Sequence, residues 1–114
     1  EVIIPAPYWI NYVQMVCMCS GEPIITAPVS TNDLSISIEN IRKAITPKTK
    51  AIILNTPSNP SGKIISDDSI QQIAQIAIDN DLIVITDEVY TVSYTHLTLY
   101  CYMRQDEGTH CCYQ

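Results

Sequence analysis

Short apolar runs alternate with helix-spaced apolar stripes from the start of the chain to about residue 90. Val2-Ile3-Ile4 forms a brief apolar run closed by Pro5 and Pro7. Over Tyr8 to Cys19, Trp9, Tyr12, Val13 and Val16 follow the i, i+3, i+4, i+7 spacing of a helix face. Ser20-Gly21 ends that helix, because glycine readily takes the left-handed conformation at a helix terminus. Ile24 to Ala27 reads as a second strand. Ser37 is placed to cap a helix whose stripe is Ile38, Ile41, Ala44 and Ile45, with Pro47 as its stop. Lys50 to Leu54 is a third strand, and its all-apolar Ala51-Ile52-Ile53-Leu54 suits burial on both faces of a parallel sheet. After the turn-rich loop Asn55 to Gly62, Ser66 caps a helix over 67–79. Asp67 and Asp68 suit that helix's positive end, and Ile70, Ile73, Ala74 and Ala77 form its inner stripe. Asp79-Asn80-Asp81 stops it, and Leu82 to Ile85 is a fourth strand, again continuously apolar.

This alternation predicts an α/β fold with a mostly parallel sheet and flanking helices. In such sheets ligands bind beyond the carboxyl ends of the strands. Two segments directly follow a buried strand, the Asn55–Gly62 loop and Thr86-Asp87-Glu88-Val89-Tyr90. Past Tyr90 the pattern stops: residues 91–114 hold both histidines and three of the five cysteines, with no sustained apolar period and no cap signals. Within them Val92-Ser93-Tyr94-Thr95-His96-Leu97-Thr98-Leu99 reads as the translation of a sequencing-library adaptor. The expected division is therefore a folded unit over 1–90 and an unstructured tail of foreign origin over 91–114. The opening Glu1-Val2-Ile3-Ile4 has neither an initiator Met nor a signal-peptide pattern, and the chain reads as an internal piece.

Composition narrows the partners. With 114 residues there is room for one small domain, and 46% hydrophobic content is enough for a core. The net charge of −6 comes without clustered Lys or Arg, which argues against nucleic acid and against an anionic membrane surface. No apolar run reaches the length of a membrane span. Cys17, Cys19, Cys101, Cys111 and Cys112 form neither a disulfide framework nor a regular zinc spacing, so no metal site is assigned and a reducing cytoplasm is expected.

Two common phosphate motifs are excluded. Ser61-Gly62-Lys63 lacks the upstream glycine of a P-loop and is followed by Ile64, and three glycines cannot compose a G-x-G-x-x-G in this chain. Four other motifs occur in sequence. They are Pro5-Ala6-Pro7-Tyr8-Trp9-x-x-Tyr12, Ala44-Ile45-Thr46-Pro47-Lys48-Thr49-Lys50-Ala51, Asn55-x-Pro57-x-Asn59-Pro60-x-Gly62, and Thr86-Asp87-Glu88-Val89-Tyr90. Together, from residue 1 to about residue 90, they resemble the class I/II aminotransferases of fold type I, in particular the aspartate and aromatic branch.

The resemblance implies pyridoxal 5'-phosphate as cofactor and part of the large cofactor-binding domain as fold. It also implies amino acid and 2-oxo acid substrates, and a homodimer at full length. Asp87 matches the aspartate that pairs with the cofactor's pyridine nitrogen and keeps it protonated. Asn59 and Tyr90 match the two donors to its phenolic oxygen, and the Asn-Pro bond at this position is often cis in the family. Trp9 matches the aromatic that stacks on the ring. Tyr8 and Tyr12 read as packing residues. Taken singly, Asp87 could equally be a helix cap, Asn59-Pro60 a plain turn and Trp9 a core residue.

The family's Schiff-base lysine lies beyond its D-x-x-Y segment. Lys43, Lys48, Lys50 and Lys63 all precede Asp87, so no catalytic residue of that kind is expected in this chain, and the chain alone is expected to be inactive. Two other readings accommodate the same residues: a β-lyase, cyclopropane-carboxylate synthase-like enzyme or aminotransferase-like regulator domain, and a non-catalytic α/β interaction module.

Overall fold

A computed structural model describes residues 1–90. Four strands and three helices alternate: β1 (Val2–Pro5), α1 (Asn11–Met18), β2 (Pro23–Thr26), α2 (Ile38–Ala44), β3 (Ala51–Asn55), α3 (Asp67–Asp79) and β4 (Ile83–Asp87). The strands form one sheet in the order β2-β1-β3-β4, and every pairing is parallel. The α/β reading is therefore correct, with strand ends displaced by a residue or two. The expectation for residues 91–114 lies outside the described residues.

Strand periodicity divides the sheet into two apolar faces. Ile3, Ile52, Leu54 and Leu82 pack with Ile41 of α2 and Ile73, Ile76 and Ala77 of α3. Ile4 and Ile53 pack on the opposite face under Tyr12 and Val16 of α1. β3 is buried along Ala51–Leu54, as its unbroken apolar run requires. β4 is not. Its Ile83 and Ile85 are 50% and 39% exposed, because they share the face of Ile53 while α1 lies over β1 and β2.

The helices follow from local signals with three corrections. α2 and α3 start where Ser37 and Ser66 accept from the main-chain N–H of Asn40 and Ser69. The inner stripe of α3 is centred on Ile73, Ile76 and Ala77, so Ile76 belongs in it and Ala74 sits at its margin. α1 starts at Asn11, not Tyr8, behind Ile10 with no side-chain cap. Tyr8 and Trp9 belong instead to the loop that leaves β1. The end of α1 is a Schellman turn, with Gly21 N–H donating to Val16 O and Ser20 N–H to Cys17 O. The positive φ, 59°, falls on Ser20. Gly21 is needed for a different reason: a Cβ there would stand 2.8 Å from Val16 Cγ1 and 3.0 Å from Val16 O.

Candidate functional site

The last residues of β3 and β4, Asn55 and Asp87, are paired in register at the carboxyl ends of adjacent strands. Alternation puts both side chains on the face of Ile53 and Ile85, the side that α1 occupies. The Asp87 carboxylate is held there from two directions. Tyr12 reaches from α1 and donates its hydroxyl to Oδ2. The main-chain N–H of Val89 donates to Oδ1 at 3.1 Å. Both donors are neutral.

Asn55 joins this strand end to the following loop. Its Nδ2 donates to Asp87 O at 3.1 Å, and its Oδ1 accepts from Asn59 N–H at 2.7 Å. Thr56 N–H also donates to Asp87 O at 3.1 Å. The loop turns back through Gly62, whose φ of 68° lies in the left-handed region and whose N–H donates to Ser58 O at 2.7 Å. So fixed, Asn59 points its Nδ2 at the Tyr90 hydroxyl, 3.3 Å away. Asn59-Pro60 is cis.

Trp9 enters from the loop after β1. That loop is tied to the Asn59 loop by Ser58, whose hydroxyl donates to Pro7 O at 3.2 Å. The Trp9 ring meets Tyr12 edge to face, with centroids 5.5 Å apart and planes at 83°, and it remains 39% exposed. Trp9, Asn59, Asp87 and Tyr90 thus gather at the carboxyl end of the sheet, linked by Tyr12 and Asn55.

Those two linking residues have roles the pattern did not reveal. Tyr12 is buried in the α1 core as a packing residue would be, yet its hydroxyl also serves Asp87. The available signal was general: a buried tyrosine needs a partner for its O–H. For Asn55, standing where a strand meets a turn-rich loop, side-chain to main-chain bonding was the available signal. Burial and the bond to Asp87 push the Tyr12 phenol well above its ordinary range, so it stays a donor. Lys63, near this loop, pairs instead with Asp33 at 3.7 Å. Among the described residues no group of His, Cys, Asp and Glu is arranged to hold a metal ion, and no helix is long and apolar enough to cross a membrane.

A gripped carboxylate, two adjacent hydrogen-bond donors and an open aromatic face can hold a flat heteroaromatic ring. The carboxylate suits a protonated ring nitrogen, the donors an anionic ring oxygen, and the indole a ring face.

Comparison with known proteins points the same way. The family model described as "Aminotransferase class I and II" matches residues 1–108. An aspartate aminotransferase of Bacillus sp. (strain YM-2) is 41% identical over 90 residues, which cover 79% of this chain and 23% of that relative. An aromatic-amino-acid aminotransferase 2 of Thermococcus litoralis is 37% identical over 90 residues, with the same shares. Among solved structures, the aspartate aminotransferase from Thermus thermophilus with maleate superposes with a TM-score of 0.75 at 32% identity, covering 78% of this chain and 23% of that one. The chain spans about a quarter of the length of the relatives it matches.

Proposed function

The chain belongs to the class I and II aminotransferases, and on that premise we propose that the whole protein is a pyridoxal-phosphate-dependent aminotransferase. It moves an amino group between an aspartate-like or aromatic amino acid and a 2-oxo acid. The observation that carries this reading is the convergence of Asp87, Asn59, Tyr90 and Trp9 at the carboxyl end of one parallel sheet. Relatives named for aspartate and aromatic-amino-acid transamination support the substrate class.

The residues present fit the cofactor by the chemistry of their donors and acceptors. Asp87 would accept from the pyridine N–H and hold the proton on that nitrogen. Asn59 Nδ2 and Tyr90 O–H, already neighbours, would donate to the phenolic oxygen and stabilise its negative charge. Trp9 would cover a ring face and limit its tilt. When bound, the cofactor supplies an electron-withdrawing ring able to take up the electron pair left as a substrate Cα–H bond breaks. Asn55 keeps the Asp87 and Asn59 main chains in register while this happens. A homodimer and a reducing cytoplasm belong to the same reading.

The test is direct. Full-length protein supplied with pyridoxal phosphate should transfer a labelled amino group from aspartate or an aromatic amino acid to 2-oxoglutarate. Cofactor binding without transfer to any 2-oxo acid, accompanied by release of ammonia, would assign the protein to a lyase instead.

A further inference from the structure

We propose that Tyr12 is a positioning residue serving two of the cofactor-holding groups at once: its hydroxyl orients the Asp87 carboxylate and its ring braces Trp9. The inference rests on the cofactor reading above and assigns a role to a residue that reading does not use.

Asp87 and Trp9 come from the two ends of the described chain. Trp9 stands in the loop after β1 and Asp87 ends β4. Each would meet a different part of the ring, so their relative placement matters more than either position alone. Tyr12 touches both. It is itself poorly free to move: 6% exposed, it packs with Ile4, Val16 and Ile53 on the α1 face. One stiff aromatic side chain, with two soft torsions, thereby fixes the distance between an indole and a carboxylate.

The two oxygens of Asp87 are unequally supported. Val89 N–H, which holds Oδ1, belongs to an exposed residue just past the strand. Tyr12, which holds Oδ2, is anchored in a core. Without the Tyr12 hydroxyl, the Val89 N–H is the one hydrogen-bond donor among the described residues left to restrain rotation of the carboxylate about its terminal torsion, which is intrinsically broad. Hydrogen bonds to a charged acceptor are roughly twice as strong as neutral ones, so this restraint is substantial.

The experiment uses the full-length holoprotein loaded with pyridoxal phosphate enriched in 15N at the ring. The nitrogen resonance reports whether the ring nitrogen is protonated and hydrogen-bonded, and the cofactor's induced circular dichroism reports how the ring is held. Tyr12→Phe keeps the ring contact and loses the hydroxyl. It should move the nitrogen resonance part of the way towards that of Asp87→Asn, weaken cofactor binding roughly tenfold, and preserve the induced dichroism. Tyr12→Leu loses both contacts and should diminish the dichroism as well.

If Tyr12→Phe keeps the wild-type resonance while Asp87→Asn shifts it or abolishes binding, the role of the Tyr12 hydroxyl is refuted and the cofactor reading stands. If Asp87→Asn leaves binding and resonance unchanged, the cofactor reading itself fails. Wild-type dichroism in Tyr12→Leu removes the bracing of Trp9. Should Tyr12→Phe fail to fold, 3-fluorotyrosine at position 12 changes the donor with little change in volume. A nitrogen resonance unmoved by that replacement overturns the proposal.

Discussion

A phenol that donates to a carboxylate has a titration that can be followed by itself. Burial raises the proton affinity of Tyr12 first, and the bond to Asp87 raises it further. In the unfolded chain its ordinary value is 10.0. Above that pH the unfolded state loses the proton while the folded state keeps it, so the folded state binds more protons and stability falls as pH rises. The contribution is fully present below about pH 10 and declines above it. Denaturant unfolding of the full-length apoprotein and of Tyr12→Phe should therefore differ by a constant amount from neutral pH to about pH 10, the difference shrinking beyond. A difference that grew above pH 10 would mean that Tyr12 is not buried against Asp87. Asp87, Asn59 and Tyr90 stood out because each sits in a short motif that resembles the family's and can be read from adjacent residues without knowing the packing. Tyr12 and Asn55 were illegible for the converse reason. Their partners lie 75 and 32 residues away, and no local spacing encodes such a bond.

Elements were legible where one local rule decides them. α3 has a serine cap, acidic residues in its first turn and an apolar stripe, and it forms over the residues that the spacing predicts. α1 was misplaced at its start because Trp9 fits the helical period without being helical; the loop after β1 takes it for the sheet's end. β4 looks like β3 in sequence, but burial depends on what lies above a strand, and α1 does not reach Ile83 and Ile85. The same distinction predicts two different costs on one helix. Ile76 is 1% exposed under the sheet, whereas Ile78, two residues on, is 56% exposed. Ile76→Ala removes packed methyl and methylene groups and should cost about 2–5 kcal/mol. Ile78→Ala should stay within about 0.5 kcal/mol of wild type. Thermal or denaturant unfolding of both variants in the full-length protein measures the contrast, and equal costs would place the buried face of α3 wrongly.

For the molecule as a whole, what matters is which chemical parts these residues contain. On the function proposed above, the described sheet assembles the groups that would meet a cofactor's nitrogen, phenolic oxygen and ring face. The covalent partner is a different matter. The chain's four lysines all lie upstream of Asp87, and each is exposed. Lys43 is paired with Glu39 on α2, and Lys63 with Asp33 across the loop ahead of α3. None of the four is hydrogen-bonded to Asp87, Asn59 or Tyr90. Exposed side-chain amines on flexible stems, with no neighbouring group to activate one above the others, react with an aldehyde slowly and without selection. The 114-residue chain mixed with pyridoxal phosphate and reduced with borohydride should therefore carry label spread over several lysines, Lys48 and Lys63 among them, rising with aldehyde concentration without saturating. Peptide mapping by mass spectrometry gives the distribution. Saturable, stoichiometric labelling of a single lysine, with turnover of an amino acid and 2-oxoglutarate, would instead show that these residues already contain a complete catalytic centre.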